Sequence, residues 1–97
     1  LPHIAPFDSG DDSINFGESV SLTCNVHKGD TPIEITWYLN NRTLHDSSDF
    51  SIGKAGKKTS TLSIDSVQNL HAGTYTCVAR NSVGSTSFST DLHVNGT

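Results

Sequence analysis

The side chains able to do chemistry in this 97-residue chain are five histidines, two cysteines and short clusters of acids and hydroxyls. The run His45-Asp46-Ser47-Ser48-Asp49 carries hydrolase residue types. A catalytic triad, however, is assembled from distant segments and needs an oxyanion hole, and no strand-to-helix nucleophile elbow occurs in the sequence. The expectation is that the chain is not an enzyme and takes no cofactor. The histidines, at 3, 27, 45, 71 and 93, include no pair at zinc-like spacing, so no metal centre is expected. Asp8-Ser9-Gly10-Asp11-Asp12 offers three carboxylates. Calcium asks for about six to eight oxygen ligands, and no second acidic cluster is placed to complete the set, so a solvated turn is the plainer reading.

The cysteines remain. Cys24 and Cys77 are the only two, 53 positions apart, and each lies in an alternating apolar/polar run that should point it inward from a strand. Trp37 follows the first thirteen residues on, Leu62 lies between, and Gly73-Thr74-Tyr75-Thr76 leads into the second. A disulfide between facing sheets, a Trp packed on it and a Tyr two residues before the second Cys are hallmarks of an immunoglobulin sandwich. The chain resembles that superfamily over nearly its whole length. The resemblance implies a Cys24–Cys77 bond with Trp37, Leu62 and Tyr75 in the core, two unpaired buried thiols being the alternative. Such a bond forms in an oxidising compartment, so the domain is expected to be extracellular. The sequons Asn41-Arg42-Thr43 and Asn95-Gly96-Thr97 agree with secretion and make Asn41 and Asn95 candidate glycosylation sites.

The elements that must position these residues are strands. Val20, Leu22, Cys24 and Val26 alternate with small polar residues, the pattern of a half-buried antiparallel strand, strand B of the superfamily. Ile33, Ile35, Trp37 and Leu39 mark the inward side of strand C, with Glu34, Thr36, Tyr38 and Asn40 outward. Phe50 and Ile52 share a face of strand D, and residues 54–58 form a basic hairpin turn. Leu62 and Ile64 face inward on E, Cys77 and Ala79 on F, and residues 85–94 form a long G strand. His3 to Phe7 reads as an edge segment that Pro2 and Pro6 keep off a central position. Ser13-Ile14-Asn15-Phe16 then continues the first strand on the other sheet. Only about nine residues separate Asn40 from strand D, too few for a C′–C″ hairpin plus crossover, so a full variable-type domain is not expected. The fold class expected is therefore all-β, an immunoglobulin-like two-sheet sandwich of the intermediate set. It should form a single domain over residues 1–97, core 3–94, excised from a larger ectodomain.

Composition sets the remaining limits. The apolar fraction is only 33%. A domain this small buries about 60–65% of its unfolded surface, and closing a loop of this size would contribute about 4 kcal/mol in the chain-entropy account of cross-links. A net charge of −4 argues against nucleic acid, which demands a basic footprint. No apolar run approaches the roughly 18 residues of a membrane span, and no direct membrane contact is expected. His71 stands where the superfamily usually has an acid, and Asp49 where it usually has the partnering Arg. The expectation is a sign-swapped pair in which Asp49 raises the His71 pKa, with stabilisation that fades as pH rises through the raised value.

With chemistry excluded, function must lie on the surface. The outward set of the A, B, E and D strands is Ser19, Ser21, Thr23, Asn25, Thr59, Thr61, Ser63 and Asp65: short, hydrogen-bonding and mostly neutral. An ordinary soluble β face is one reading, and a contact sheet the other. Asp8, Asp11 and Asp12 could meet Lys54, Lys57 and Lys58 of a second copy across a two-fold axis.

A narrower resemblance rests on several segments: His3-Ile4-Ala5-Pro6-Phe7-Asp8, Ser13-Ile14-Asn15-Phe16-Gly17-Glu18, Gly29-Asp30-Thr31-Pro32-Ile33-Glu34-Ile35-Thr36-Trp37, and Leu62-Ser63-Ile64-Asp65-Ser66-Val67-Gln68 followed by His71-Ala72-Gly73. These resemble the hypervariable seventh immunoglobulin domain of arthropod Down syndrome cell adhesion molecules (Dscam). They are equally similar to the first domain of the shortened chelicerate forms. The resemblance implies a single-pass cell-surface receptor made in many isoforms by alternative splicing and serving neurite self-avoidance. It further implies isoform-specific homophilic binding, an antiparallel homodimer with an identical domain through the ABED side. Interface candidates there are Ser21, Thr23, Asn25, Lys57, Lys58, Thr61 and Ser63. A passive spacer or a heterophilic receptor module is the alternative.

Overall fold

A computed structural model of the chain describes residues 2–4, 14–30 and 32–95. Among the described residues ten strands follow one another: β1 (His3–Ile4), β2 (Ile14–Asn15), β3 (Val20–Lys28), β4 (Glu34–Leu39), β5 (Arg42–Thr43), β6 (Ser51–Lys54), β7 (Thr59–Ile64), β8 (Gly73–Asn81), β9 (Gly84–Leu92) and β10 (Val94–Asn95). A 3-10 turn, Asn69–His71, lies between β7 and β8. The strands form one sheet ordered β1-β3-β7-β6 and another ordered β5-β4-β8-β9, with β2 paired to β10. These are the ABED and CFG layers expected, with β5 a short addition beside strand C.

Alternation sets which face is buried. Along β3, Val20, Leu22, Cys24 and Val26 are buried while Ser21, Thr23, Asn25 and His27 are exposed, so one side of the strand meets the opposite layer and the other meets water. The first strand divides as expected. β1 pairs antiparallel with β3, whereas β2 pairs in parallel with β10, which continues the path of β9. Between β4 and β5 the loop is Asn40-Asn41, both at positive φ (50° and 70°), the requirement of a two-residue I′ hairpin and one that Asn tolerates well.

The core sits between the layers around Cys24, Trp37, Leu62, Tyr75 and Cys77, all at most 1% exposed. Cys24 and Cys77 are disulfide-bonded with Cα atoms 6.4 Å apart, within the usual span for such bonds. Trp37 lies beside Cys77 in the β4–β8 register, and Ser60 beside Cys24 in the β3–β7 register. The indole Nε1–H donates to Ser60 Oγ over 2.9 Å. A hydrogen bond therefore joins the layers next to the covalent link.

At the lower end of the sandwich the Tyr75 hydroxyl donates to the His71 carbonyl over 2.6 Å, the tyrosine corner expected for this architecture. Burial pushes the Tyr75 phenol pKa well above its ordinary value. Phe50 closes the same end, edge-on to the rings of His71 (5.4 Å) and Tyr75 (6.4 Å). Here the structure reverses one expectation. His71 is only 2% exposed, and its pKa is lowered because desolvation of the imidazolium outweighs the opposing pull of Asp49. Asp49 does act on the ring in the expected sense, but burial wins and the neutral ring is favoured.

Candidate recognition face

The outward side of the β1-β3-β7-β6 sheet is assembled by register. Ser51, Ser63 and Ser21 form one row across β6, β7 and β3, and Gly53, Thr61 and Thr23 the next, while Thr59 stands opposite Asn25. Neighbours along these rows already hold one another. Ser21 and Ser63 share a hydroxyl hydrogen bond of 3.2 Å, and Thr59 Oγ1 donates to Asn25 Oδ1 over 3.2 Å. Two pairs on the face are thus bonded within it, and its middle row includes Gly53, which has no side chain, so the side chains there are short and the bonded pairs cost less to dehydrate than free ones would.

Five sequence-picked residues, Ser21, Thr23, Asn25, Thr61 and Ser63, thus come together on one surface. Lys57 and Lys58 do not join them. They belong to the β6–β7 turn at the upper end of the sheet, where the Lys58 carbonyl accepts from the Val26 N–H. The acids at 8, 11 and 12 lie outside the described residues, and so do the proposed charge meeting and any calcium role for them. Asn41 is exposed at the β4–β5 hairpin tip, on the edge of the other sheet. Asn95 is also exposed, and its Nδ2 donates to Asn15 Oδ1 over 3.2 Å.

The opposite sheet also carries hydroxyls, including Thr76 and Ser89, which bond each other at 2.8 Å. It differs in charge: Thr74 there pairs with Asp91, and Glu34 stands opposite Arg80. Among the described residues, charge is also polarised along the strands. Lys28, Lys54, Lys57, Lys58 and Arg80 gather at the upper end, where β3 and β8 finish, against Asp30 and Glu34. Glu18, Asp49, Asp65 and Asp91 lie toward the lower end, with Arg42.

Three residues with structural roles here are invisible to the apolar pattern. Ser60 is buried at 3% although polar; its position two before Leu62 was the available signal. Asn40 reaches from its hairpin to the neighbouring strand β8, its Oδ1 accepting from Thr74 N over 3.0 Å. Gly73 is the reason it can: a Cβ there would lie 2.6 Å from Asn40 Nδ2, and its φ is 147°. Among the described residues no three His, Cys, Asp or Glu side chains group as a metal site.

The profile of the immunoglobulin domain family matches residues 2–81. The chain belongs to that family. This immunoglobulin domain is 37% identical over 95 residues to the cell adhesion molecule Dscam1 of Drosophila melanogaster. That match covers 97% of the chain but 5% of the relative's length. Among solved structures it is similar to the Dscam1 Ig7 domain, isoform 5, at 43% identity and TM-score 0.93, covering 97% of this chain and 96% of that one. It is also similar to one part of the eight N-terminal domains of Down Syndrome Cell Adhesion Molecule isoform 1.30.30, at 34% identity and TM-score 0.91, covering 99% of this chain and 12% of that one. The immunoglobulin domain is not an enzyme. The hydrolase-type residues 45–49 serve the connection into β6 instead: Asp46 Oδ1 accepts from Ile52 N over 2.6 Å, and Ser47 Oγ accepts from Asp49 N and Phe50 N.

Proposed function

We propose that this domain is an extracellular recognition module that binds an identical domain through the outward side of β1-β3-β7-β6. The observation that carries this is the row-by-row hydroxyl face centred on Thr23, Thr61 and Gly53. Its side chains are short, it is uncharged at its middle, and Ser21–Ser63 and Thr59–Asn25 are bonded within it. Such a face discriminates by small steric or charge changes, because specificity is a difference of affinities and one added charge is enough to reject a near-copy. Isoform-specific pairing fits that property, and the likeness to Dscam1 Ig7 isoforms supports it.

Charge polarity favours an antiparallel pair. Two copies stacked in the same direction would place Lys54, Lys57 and Lys58 over the same residues of the partner. Reversing one copy sets that end over Glu18 and Asp65 twice, as a two-fold axis requires. In this reading Lys57 and Lys58 act at the rim, steering the pair, while Ser21, Thr23, Asn25, Thr61 and Ser63 form the contact. A glycan on Asn41 would shield the edge of the opposite sheet and leave the contact face bare. The domain would act as one unit of a longer single-pass receptor, where several weak domain contacts add by avidity.

Sedimentation equilibrium of the domain tests the pairing. The expected result is a dimer that weakens on joint Lys57→Glu and Lys58→Glu reversal. Persistent monomer at high concentration, in this chain and in a longer fragment alike, favours a passive spacer or a heterophilic module.

A further inference from the structure

At the upper end of the sandwich the loop before β4 and the β6–β7 turn enclose a cavity of about 390 Å³ lined by Pro32, Ile33, Lys54, Gly56 and Lys57. A second depression of about 550 Å³ shares Pro32, Ile33 and Lys54 and runs on to Glu34, Arg80 and Asn81. The two form one groove. Pro32 and Ile33 line both parts; Lys54 lines both as well, while Lys57 lines the first and Arg80 the second. Among the described residues the first cavity has no carboxylate in its lining. A Cβ on Gly56 would meet nothing within 4 Å, so that wall is open.

The chain as a whole is acidic, at −4, so cations gathered at one end are a local feature and not a consequence of composition. Like charges set side by side repel and raise the cost of the fold unless an anion joins them. We infer that this groove binds a linear sulfated glycan, its sulfates meeting Lys57, Lys54 and Arg80 in turn and a sugar ring resting on Pro32 and Ile33. Repeated charges along a polymer match a string of separate ammonium groups better than a single small anion does. Lysine is a flexible point charge suited to sulfates whose spacing varies. Among the described lining residues Glu34, at the Arg80 end, is the one group that opposes the ligand. The inference does not depend on self-pairing.

Affinity chromatography on immobilised heparin, with titration by a heparin-derived octasaccharide, tests it. The expected result is retention of this acidic chain at low salt and loss of that retention as ionic strength rises. Joint Lys54→Ala and Lys57→Ala should weaken octasaccharide binding about fivefold or more, as befits two exposed ion contacts removed. Glu34→Gln should tighten binding, and Arg42→Ala, at the other end, should leave it unchanged. A chemically desulfated octasaccharide should not bind. Flow-through on heparin at low salt overturns the proposal. So does an affinity indifferent to Lys54 and Lys57, or equal binding of an acidic peptide of the same charge. Circular dichroism of each variant confirms the fold, and sedimentation without glycan reads self-association separately.

Discussion

Trp37 Nε1–H donates to Ser60 Oγ across the sandwich, and each of these residues is the in-register neighbour of one half of the Cys24–Cys77 bond. Two ties of different chemistry therefore join the layers at one level. Ser60→Ala should cost about 1–2 kcal/mol, the usual loss when a buried hydrogen-bond acceptor is removed. Reducing the disulfide should cost about 4 kcal/mol through the freed unfolded chain. Because the two ties share neighbours, the combined loss should depart from the sum of the separate losses. Denaturant unfolding of the four states measures this.

The His71 ring gives the fold a defined acid response. Its Nδ1 accepts from the Gln68 N–H over 2.8 Å, so the neutral ring carries its proton on Nε2. Protonating Nδ1 breaks the bond by which the ring caps the start of the 3-10 turn. The folded pKa lies below the ordinary value of 6.5. The unfolded chain therefore binds more protons than the folded one once pH falls below about 6.5. The contribution is fully present above that pH, declines as pH falls through it, and levels off below the folded pKa. Urea midpoints should drop from pH 8 to pH 5. Asp49→Asn, which removes the one group raising the pKa, should steepen that drop, and His71→Gln should flatten it.

Tyr75→Phe removes the hydroxyl that satisfies the His71 carbonyl inside the core. The expected cost is about 1–3 kcal/mol, since a buried acceptor is left without its donor. Thermal unfolding of the variant reads it directly, with circular dichroism to confirm the unchanged sandwich.

Gly73→Ala should cost more than an ordinary surface change. Its φ of 147° disfavours any side chain, and the added carbon would strike the Asn40 amide. Relief should come from Asn40→Gly, which removes the obstacle but also the bond to Thr74. The double variant should therefore recover only part of the loss in unfolding midpoint.

The sandwich was legible because its core residues alternate with period two around Cys24, Trp37 and Cys77, and only inward-facing strands tolerate that pattern. The outward rows were legible for the same reason, since fixing Leu22 and Leu62 inward fixes Thr23 and Thr61 outward. What alternation does not carry is depth. His71 has the charge partner that the sequence indicates, yet it is buried with Phe50 packed edge-on against its ring, and desolvation outweighs the partner. Nor does it carry position along a strand. Lys57 and Lys58 follow the contact face in sequence, but the hairpin lifts them to its upper end and sets Lys57 into a groove with Pro32 and Ile33.

Self-recognition by one face is most directly read by the concentration dependence of backbone amide NMR shifts in the isotope-labelled domain. Shifts that move on Ser21, Thr23, Asn25, Thr61 and Ser63 as concentration rises, and stay fixed in Thr61→Arg, are the predicted result. Shifts that move instead on Thr76, Ser87 and Ser89, or that do not move at all, would contradict it.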